Sequence, residues 1–345
     1  MSKVGFFQHQ KSGCFWYRIK RVHDVFQRNG IETRMIALNQ NVDDDISAFQ
    51  LYGATPFSMA KPLEWMKEEK KKIVYDVDDA LHLIDDTNPF RLEVMRDIPS
   101  MEEKLRYADE ITVSTPEIAK YLKGRTNAPI TVIPNTFTAS EWTFPRPIRS
   151  GLRIGFSGSP THVGDLLLVL PAIRNLQKKH NFTFILHGFS KADSYQDWFN
   201  QYRYQANEKS LKELLEFDKL LSEINFEFVP FVDFELHPAV LTNMALDIGI
   251  CPLKPTPFNI CRSACKAMEY TLSGALALAS DTPPYQMDKS SILVKDDEWE
   301  KTLELYIENP LSRKYAQQQH LQWIKENRED ISNLESLKKV YGIPL

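Results

Sequence analysis

The segment from Pro257 to Asp281 combines residues that could bind an anion and a sugar alcohol. It reads PFNICRSACKAMEYTLSGALALASD, and its predicted helix starts near the polar residues Arg262 and Ser263. A helix N-terminus favours phosphate because its backbone N–H groups are unpaired and it carries partial positive charge. Lys266 and Glu269 are three residues apart and share one helix face. Lys266 could neutralise a phosphate while Glu269 accepts hydrogen bonds from hydroxyls, and a nucleotide-sugar offers both groups.

A second group of candidate residues, GSPTH at 158–162, lies between a predicted strand and a predicted helix. Gly158 and Ser159 are small enough to let a phosphate approach the backbone, and His162 could contact a ligand. The same letters also fit a plain strand-to-helix turn in which Ser159 or Thr161 caps the helix. The pattern is neither the GxGxxG fingerprint nor a P-loop, so both interpretations stay open.

Three acids end a predicted strand in the segment YDVDD at 75–79. Carboxylates at such a place could bind a metal, act as a base or orient a sugar. Asp76 and Asp78 match the short DxD pattern of metal-dependent sugar-nucleotide enzymes, whereas Asp76 or Asp79 could instead cap the next helix. Because one helix does not need three acids, the segment favours a functional role.

The loop and helix start after the first predicted strand could line a pocket. The segment QHQKSGCFWYR at 8–18 contains Gly13, which suits a tight turn, and then Tyr17 and Arg18. We expect Gly13, Tyr17 and Arg18 to contact an acceptor. Packing in the core is the alternative explanation for at least one aromatic residue of the segment.

The cysteines indicate neither a disulfide framework nor a zinc site. Four cysteines in 345 residues are typical of a reducing compartment. Cys261 and Cys265 are four residues apart and could share a helix face, but no second pair and no nearby histidines complete a zinc site. We interpret them as small buried thiols beside a phosphate-binding turn.

Composition and charge are those of an ordinary globular chain. Of 345 residues, 43% are hydrophobic and 26% are charged. No apolar run approaches the roughly 18 residues of a membrane span, and the N-terminus turns polar after Phe7, so we predict no signal peptide and no stable membrane insertion. Because its net charge is −4, we do not expect the protein to bind duplex DNA or an anionic bilayer mainly through electrostatic attraction. We expect a cytoplasmic location, with contact at the inner face of the membrane left open.

Strand-like and helix-like segments alternate in two successive blocks. Strands are predicted at 4–7, 33–38, 49–52, 72–77, 110–114 and 130–135, then at 152–158, 182–188, 226–231, 247–253 and 275–280. Helices are predicted at 15–29, 59–70, 90–107 and 115–123, then at 163–178, 207–223, 235–245 and 263–273. This alternation predicts an α/β fold with two Rossmann-like domains built on parallel sheets.

The segment TFPRPIRSG at 143–151 is the best linker candidate because it contains two prolines, two arginines and a final glycine. It sets the predicted boundaries, which are a first domain at 1–149, a second domain at 150–310 and a helical tail at 311–345. We expect the tail to pack back toward the first domain.

Five segments carry a resemblance to a known family. They are ADEITVSTPEIAKYL (108–122) and ITVIPN (130–135) in the first domain, and LRIGFSGSPTHVGDL (152–166), LDIGICPLKPTPFN (246–259) and 261–281 in the second. With these segments in this order, the chain resembles over nearly its whole length the GT-B-fold glycosyltransferases of the large retaining group often called family 4. The first two segments are similar to the end of that family's N-terminal domain, the third to its donor loop, and the last two to its nucleotide-binding core. The resemblance implies a first domain that binds the acceptor and a second that binds a nucleotide-sugar.

The resemblance implies roles for residues of the donor site. Of the family's two glutamates separated by seven residues, the second matches Glu269 and binds ribose hydroxyls, while the first falls on Cys261. Lys266 and Arg262 resemble the basic residues near the diphosphate, next to the amides around Ser263. The family pattern also matches two more residues of the donor site, namely Gly158 of the donor loop and Phe231 in the base-binding segment, and we expect Ser159, the neighbour of Gly158, to contact the donor as well.

The same resemblance implies that Asp78 stands where many family members have a histidine. The acids of DVDD would then be elements of the cleft, with Asp78 or Asp79 orienting acceptor or donor sugar. We therefore predict transfer of a sugar from a nucleoside-diphosphate sugar to an acceptor hydroxyl, with retention and without metal or cofactor. Lys266 and Arg262 would stabilise the leaving diphosphate.

Several acceptors and functions stay open. A glycan or lipid-linked glycan of surface polysaccharide synthesis is the first expectation. The segments GCFWYR and DVDD also resemble glycosyltransferases encoded by phages, so a modified DNA base is an alternative acceptor. A nucleotide-sugar epimerase and a non-catalytic nucleotide-sugar binding module are alternatives of other classes.

Overall fold

The computed structural model describes residues 3–8, 12–37, 45–53, 58–88, 90–204 and 206–344. Part of the predicted loop at 8–18 and the last residue of the strand predicted at 33–38 lie outside the described residues. No described helix is both long and apolar enough to cross a membrane.

The first domain contains a parallel six-stranded sheet in the order β2-β1-β3-β4-β5-β6. Its strands are β1 Lys3–Gln8, β2 Glu32–Ala37, β3 Ala48–Tyr52, β4 Lys72–Val77, β5 Glu110–Val113 and β6 Ile130–Val132. The strand order reverses between β1 and β3, and sheets of this class bind ligands at such a reversal, beyond the carboxyl ends of their strands. The first predicted block of alternating elements is therefore confirmed.

The second domain contains another parallel six-stranded sheet, in the order β12-β11-β10-β7-β8-β9. Its strands are β7 Leu152–Ser157, β8 Phe182–His187, β9 Phe226–Val229, β10 Ile248–Cys251, β11 Leu276–Ser280 and β12 Ile292–Val294. Along the chain this is the Rossmann order, which reverses between β7 and β10. The sequence analysis missed β12 because its apolar run, Ile292–Val294, is short, whereas the run that predicted the edge strand β6 extends over ITVIPN at 130–135.

Helices cover both sheets and largely follow the sequence prediction. In the first domain they are Gly13–Phe15, the π-helical turn Trp16–Lys20, Arg21–Arg28, Ala60–Glu68, Arg91–Tyr107 and Pro116–Leu122. In the second they are Val163–Leu166, Leu170–Gln177, Tyr195–Tyr202, Glu208–Ser222, His237–Asn243, Pro257–Ile260, Cys265–Leu272, Pro283–Gln286 and Trp299–Glu308. The helix predicted at 163–178 is interrupted because Pro171 lacks the N–H that would continue it, so the chain restarts there.

The C-terminal tail crosses back to the first domain, as the sequence predicts. It forms the helices Pro310–Asn327 and Leu334–Tyr341. Leu337, Val340 and Tyr341 are buried in one cluster with residues of β1, and the Tyr341 ring meets the Phe26 ring edge-on with centroids 5.1 Å apart. The boundaries at 149/150 and 310/311 stay a prediction.

Candidate active site

A cleft between the two domains brings together the residues that the sequence analysis predicted to bind the donor, bind the acceptor or stabilise the leaving group. A cavity of about 230 Å³ is lined from the first domain by Gly13, Tyr17, Arg18, Asp78 and Asp79, and from the second by His162, Arg262, Ser263, Lys266 and Glu269. A larger cavity of about 610 Å³ adds Gly158, Ser159 and Phe231. Because Gly13, Lys266 and Glu269 line both, the two cavities form one site.

The Lys266 side chain extends from the helix Cys265–Leu272 to the carboxyl end of β7, where its Nζ lies next to Gly158. Its Nζ donates a hydrogen bond to the Ser157 carbonyl at 2.7 Å and lies 4.7 Å from the Phe156 ring centroid. A Cβ added to Gly158 would lie 2.7 Å from the same Nζ. Burial lowers the pKa of Lys266. Gly158 therefore leaves room for the Lys266 side chain at the site.

Arg262 and Ser263 lie in the turn before the helix Cys265–Leu272 rather than in its first turn. The Asn135 amide of the first domain donates hydrogen bonds to Ser263 Oγ at 3.0 Å and to Cys265 Sγ at 2.9 Å. This turn is therefore held across the domain interface, and its residues line the smaller cavity.

His162 lines the smaller cavity and makes protein contacts through both ring nitrogens, and its assignment as a direct ligand contact stays a prediction. Only 6% of its surface is exposed. Its Nδ1 lies 2.7 Å from Asp165 Oδ2, and its Nε2 lies 2.7 Å from Nη1 of Arg262. Burial and the cations of Lys266 and Arg262 lower the pKa of His162 to about 3. The sequence analysis missed this role because Arg262 is far away in the chain.

Glu269 is buried and contacts both domains. The Tyr17 hydroxyl of the first domain donates a hydrogen bond to its Oε1 at 2.5 Å, and His237 Nε2 lies 3.4 Å from its Oε2. Burial by itself would raise the pKa of Glu269, but His237, Tyr17 and Lys266 together lower it. Glu269 is therefore an ionised acceptor, and Tyr17 joins the domains here instead of projecting only toward an acceptor pocket.

Arg18 lines the smaller cavity and is held in place by a buried ion pair, and its assignment as an acceptor contact stays a prediction. Its Nε and Nη2 donate to the two carboxylate oxygens of Asp76 at 2.9 and 2.8 Å. Its Nη1 donates to the Ile133 carbonyl at 2.6 Å and to Asn135 Oδ1 at 2.9 Å. Asp76 is therefore a structural partner of Arg18, and neither a helix cap nor a ligand of the cleft.

Asp78 and Asp79 lie half-buried beside Cys14, and their charges repel. Burial and the neighbouring carboxylates of Asp79 and Asp76 raise the pKa of Asp78 to about 7. Burial raises the pKa of Asp79 against the opposing effect of Arg262. Their carboxylates and the Cys14 thiol lie within 4.8 Å of one another, so among the described residues this group could hold a metal ion. Burial and the carboxylates of Asp78 and Asp79 raise the pKa of the Cys14 thiol well above its usual value.

Cys261 does not lie in the cleft, although the resemblance aligned it with the first of the family's two glutamates. It is 5% exposed and belongs to the hydrophobic cluster around β4 and β5 of the first domain. The Thr115 hydroxyl donates to its carbonyl at 2.9 Å. The interpretation as a small buried thiol therefore fits the structure, and Cys261 forms part of the domain interface.

The larger cavity has an aromatic half that the sequence analysis did not select. Trp198 and Tyr202 come from the helix Tyr195–Tyr202, which was not predicted, and Phe234 closes the cavity against Gly13. A Cβ on Gly13 would lie 2.6 Å from Phe234 Cζ, so this glycine permits the two domains to approach. The spacing of Trp198 and Tyr202 on one helix face was the signal available in the sequence.

The whole structure is similar to solved glycosyltransferases. A glycosyltransferase from Rickettsia africae ESF-5 gives a TM-score of 0.66 at 11% identity over 98% of each chain. HepE of Anabaena, solved with UDP-glucose, gives 0.63 at 14% identity over 98% of this chain and 100% of its own. An alpha-glucosyltransferase solved with UDP and a DNA containing an HMU base gives 0.69 at 12% identity over 99% of each chain. The chain therefore has the GT-B fold, while no family model and no curated protein sequence matches it.

Proposed function

We propose that the protein transfers a sugar from a nucleoside-diphosphate sugar to an acceptor hydroxyl. The observation that carries this proposal is one cleft that is lined by Lys266 and Arg262 from one domain and by Asp78 and Asp79 from the other. Cations suit a diphosphate and carboxylates suit hydroxyl groups, so the cleft offers partners for both substrates. The fold shared with glycosyltransferases solved with UDP-glucose or UDP supports the same chemistry.

In this proposal the donor binds to the second domain. Its diphosphate lies beside Lys266 and Arg262, and the small Gly158 leaves the space in which Lys266 Nζ reaches the site. Negative charge grows on the diphosphate as its bond to the sugar breaks, and cations already held in place stabilise that charge without reorganisation. The ionised Glu269 accepts hydrogen bonds from ribose hydroxyls, and Phe231 in the larger cavity contacts the base.

The acceptor binds on the side of the first domain. Asp78 or Asp79 accepts a hydrogen bond from a hydroxyl of the acceptor or of the transferred sugar, which fixes the orientation of the reacting groups. Ribose hydroxyls that bind Glu269 would replace the Tyr17 hydroxyl there, so donor binding frees Tyr17 on the acceptor side.

We further propose that the anomeric configuration is retained and that no metal is needed. The acceptor oxygen attacks the anomeric carbon on the face from which the diphosphate departs. The bond from that carbon to the phosphate oxygen breaks, the new bond to the acceptor oxygen forms, and the hydroxyl proton passes to the leaving phosphate. Lys266 and Arg262 supply the positive charge that a metal would otherwise supply.

The proposed acceptor is a glycan or a lipid-linked glycan of surface polysaccharide synthesis. A hydroxyl on a modified DNA base is the second candidate, because the alpha-glucosyltransferase solved with DNA has a TM-score of 0.69 against this chain. The net charge of −4 favours the glycan, since proteins that bind duplex DNA mainly through phosphate contacts need positive charge.

Incubation with labelled UDP- and GDP-sugars tests the proposal. We expect release of the nucleoside diphosphate together with movement of the label to a glycan acceptor or, more slowly, to water. The variant Lys266→Met keeps the length of the side chain without its charge, and should lower the rate by about 100-fold, as for other preorganised charge partners. A sugar that changes while attached to its nucleotide would indicate an epimerase, and an unchanged donor that still binds would indicate a binding module.

A further inference from the structure

His162 bridges an acid and the arginine of the proposed diphosphate site. Its Nδ1 lies 2.7 Å from Asp165 Oδ2, and its Nε2 lies 2.7 Å from Arg262 Nη1. His162 is 6% exposed and Asp165 is 4% exposed, so solvent does not compete for these contacts. A third buried residue, Asn259, donates to the other carboxylate oxygen, Asp165 Oδ1, at 3.1 Å.

These contacts define which nitrogen of His162 carries the proton. A guanidinium has donors and no acceptor, so His162 Nε2 must accept the hydrogen bond from Arg262. The ring is then neutral with its proton on Nδ1, which donates to Asp165. A carboxylate that accepts from Nδ1 is the usual device that fixes a histidine tautomer.

Asp165 is itself fixed by the chain around it. Its Oδ1 accepts from the backbone N–H of Lys254 at 2.8 Å and from the Asn259 amide. Both partners lie on the segment that leads from β10 toward Arg262. The guanidinium of Arg262 also lies over the Phe258 ring, 5.2 Å from its centroid. The arginine is therefore held on a ring face and at one nitrogen, and its other donors can bind phosphate oxygens.

We propose that His162 and Asp165 are positioning residues that orient Arg262 toward the diphosphate of the donor. This inference rests on the proposed function, because it needs a diphosphate at Arg262. It assigns His162 a role that neither the strand-to-helix turn nor a direct ligand contact provides. Removing the acceptor at Nε2 would leave the Arg262 side chain free to rotate. The resulting loss of affinity would appear only for ligands that carry phosphate.

Calorimetry with UDP, GDP and the matching nucleosides tests this on three variants. His162→Phe fills the same space without an acceptor and should weaken diphosphate binding by about tenfold, in the range of a hydrogen bond to a charged group. Nucleoside binding should change by less than about twofold on the same reasoning. His162→Gln keeps an acceptor oxygen and should recover most of the affinity. His180→Gln, at a surface pairing with Glu304, is the matched control and should change neither.

The variant Asp165→Asn tests the same proposal through the tautomer of His162. Its amide would donate to Nδ1 and move the histidine proton to Nε2, where it opposes the donors of Arg262. We expect a loss at least as large as that of His162→Phe, with thermal unfolding used to confirm that each variant is folded. Equal losses for diphosphate and nucleoside, or wild-type diphosphate affinity in a folded His162→Phe, would overturn the proposal.

A measurement without any ligand separates this inference from the proposed function. In nitrogen-15 NMR of the histidines, with the His162 signals assigned from their disappearance in His162→Gln, we expect a neutral ring with its proton on Nδ1 at pH 7 and still at pH 5. A proton on Nε2, or a charged ring at pH 7, would overturn the bridge to Arg262. If no nucleoside diphosphate binds the wild-type protein, the proposed function fails, while the NMR result still decides how His162 is paired.

Discussion

Asp78→Asn should stabilise the protein while it lowers the rate of transfer. The Asp78 carboxylate lies next to Asp79 and near Asp76, and burial with these charges raises its pKa to about 7. Above that pH the folded protein keeps like charges together that separate on unfolding. Asparagine has nearly the same shape and no charge, so it removes the repulsion. It is a weaker partner for a sugar hydroxyl than a carboxylate.

The size and the pH dependence of the stability gain in Asp78→Asn follow from the raised pKa of Asp78. Moving a pKa from 3.8 to about 7 costs the folded state about 4 kcal/mol at alkaline pH. Because Asp78 and Asp79 share this repulsion and solvent partly screens it, we expect about 1–2 kcal/mol for one substitution. For a pKa raised on folding, the contribution to stability is present below the unfolded value of 3.8 and is lost as pH rises through about 7. The gain from Asp78→Asn should therefore be largest at pH 8 and vanish near pH 4.

Calorimetric or fluorescence melting at pH 8, 6 and 4 measures this prediction, together with transfer rates at pH 8. We expect a melting temperature about 2–6 °C higher at pH 8, no gain at pH 4, and a rate at least about tenfold lower. Asp193→Asn, at an exposed aspartate, is the control and should change neither quantity. A variant that is less stable at pH 8, or equally stabilised at every pH, would refute the account of the acidic pair.

Three further predictions concern the donor side and the core. Glu269→Gln should weaken nucleotide binding by about 1.5–3 kcal/mol, because it removes the charge that accepts ribose hydroxyls, and unchanged affinity by calorimetry would contradict that role. Transfer should persist in EDTA, whereas a strict need for Mn²⁺ or Mg²⁺ would restore the metal interpretation of Asp78 and Asp79. Gly249→Ala should destabilise the second domain by about 1–3 kcal/mol or more, because the new Cβ would lie 2.2 Å from the Tyr270 ring; wild-type urea unfolding would show that the ring can move aside.

Most of the secondary structure could be predicted from local patterns in the sequence. Eleven of the strands were predicted, because short runs of apolar and β-branched residues alternate with amphipathic helical segments along the chain. Both patterns can be recognised within a short window of sequence. The edge strand β12 and the helices Tyr195–Tyr202 and Trp299–Glu308 were not predicted, because each shows an apolar pattern over only a short stretch of sequence. The spacing of Lys266 and Glu269 likewise predicted one helix face, and both line the cleft.

Contacts between distant segments could not be inferred from local pattern. Arg18 and Asp76 are 58 residues apart, and only the folded structure shows that they form an ion pair with each other. His162 pairs with Arg262 at a separation of 100 residues, so the sequence assigned both to the ligand. In each case the sequence drew attention to the residue, and only tertiary packing shows which partner it contacts.

A crystal structure with the nucleoside diphosphate that raises the melting temperature most tests the central claim directly. The account predicts the diphosphate within hydrogen-bond distance of Lys266 Nζ and Arg262, with the ribose hydroxyls on Glu269. The Tyr17 hydroxyl should then have left Glu269. A nucleotide bound at the first domain, or a diphosphate that contacts neither Lys266 nor Arg262, would contradict the account.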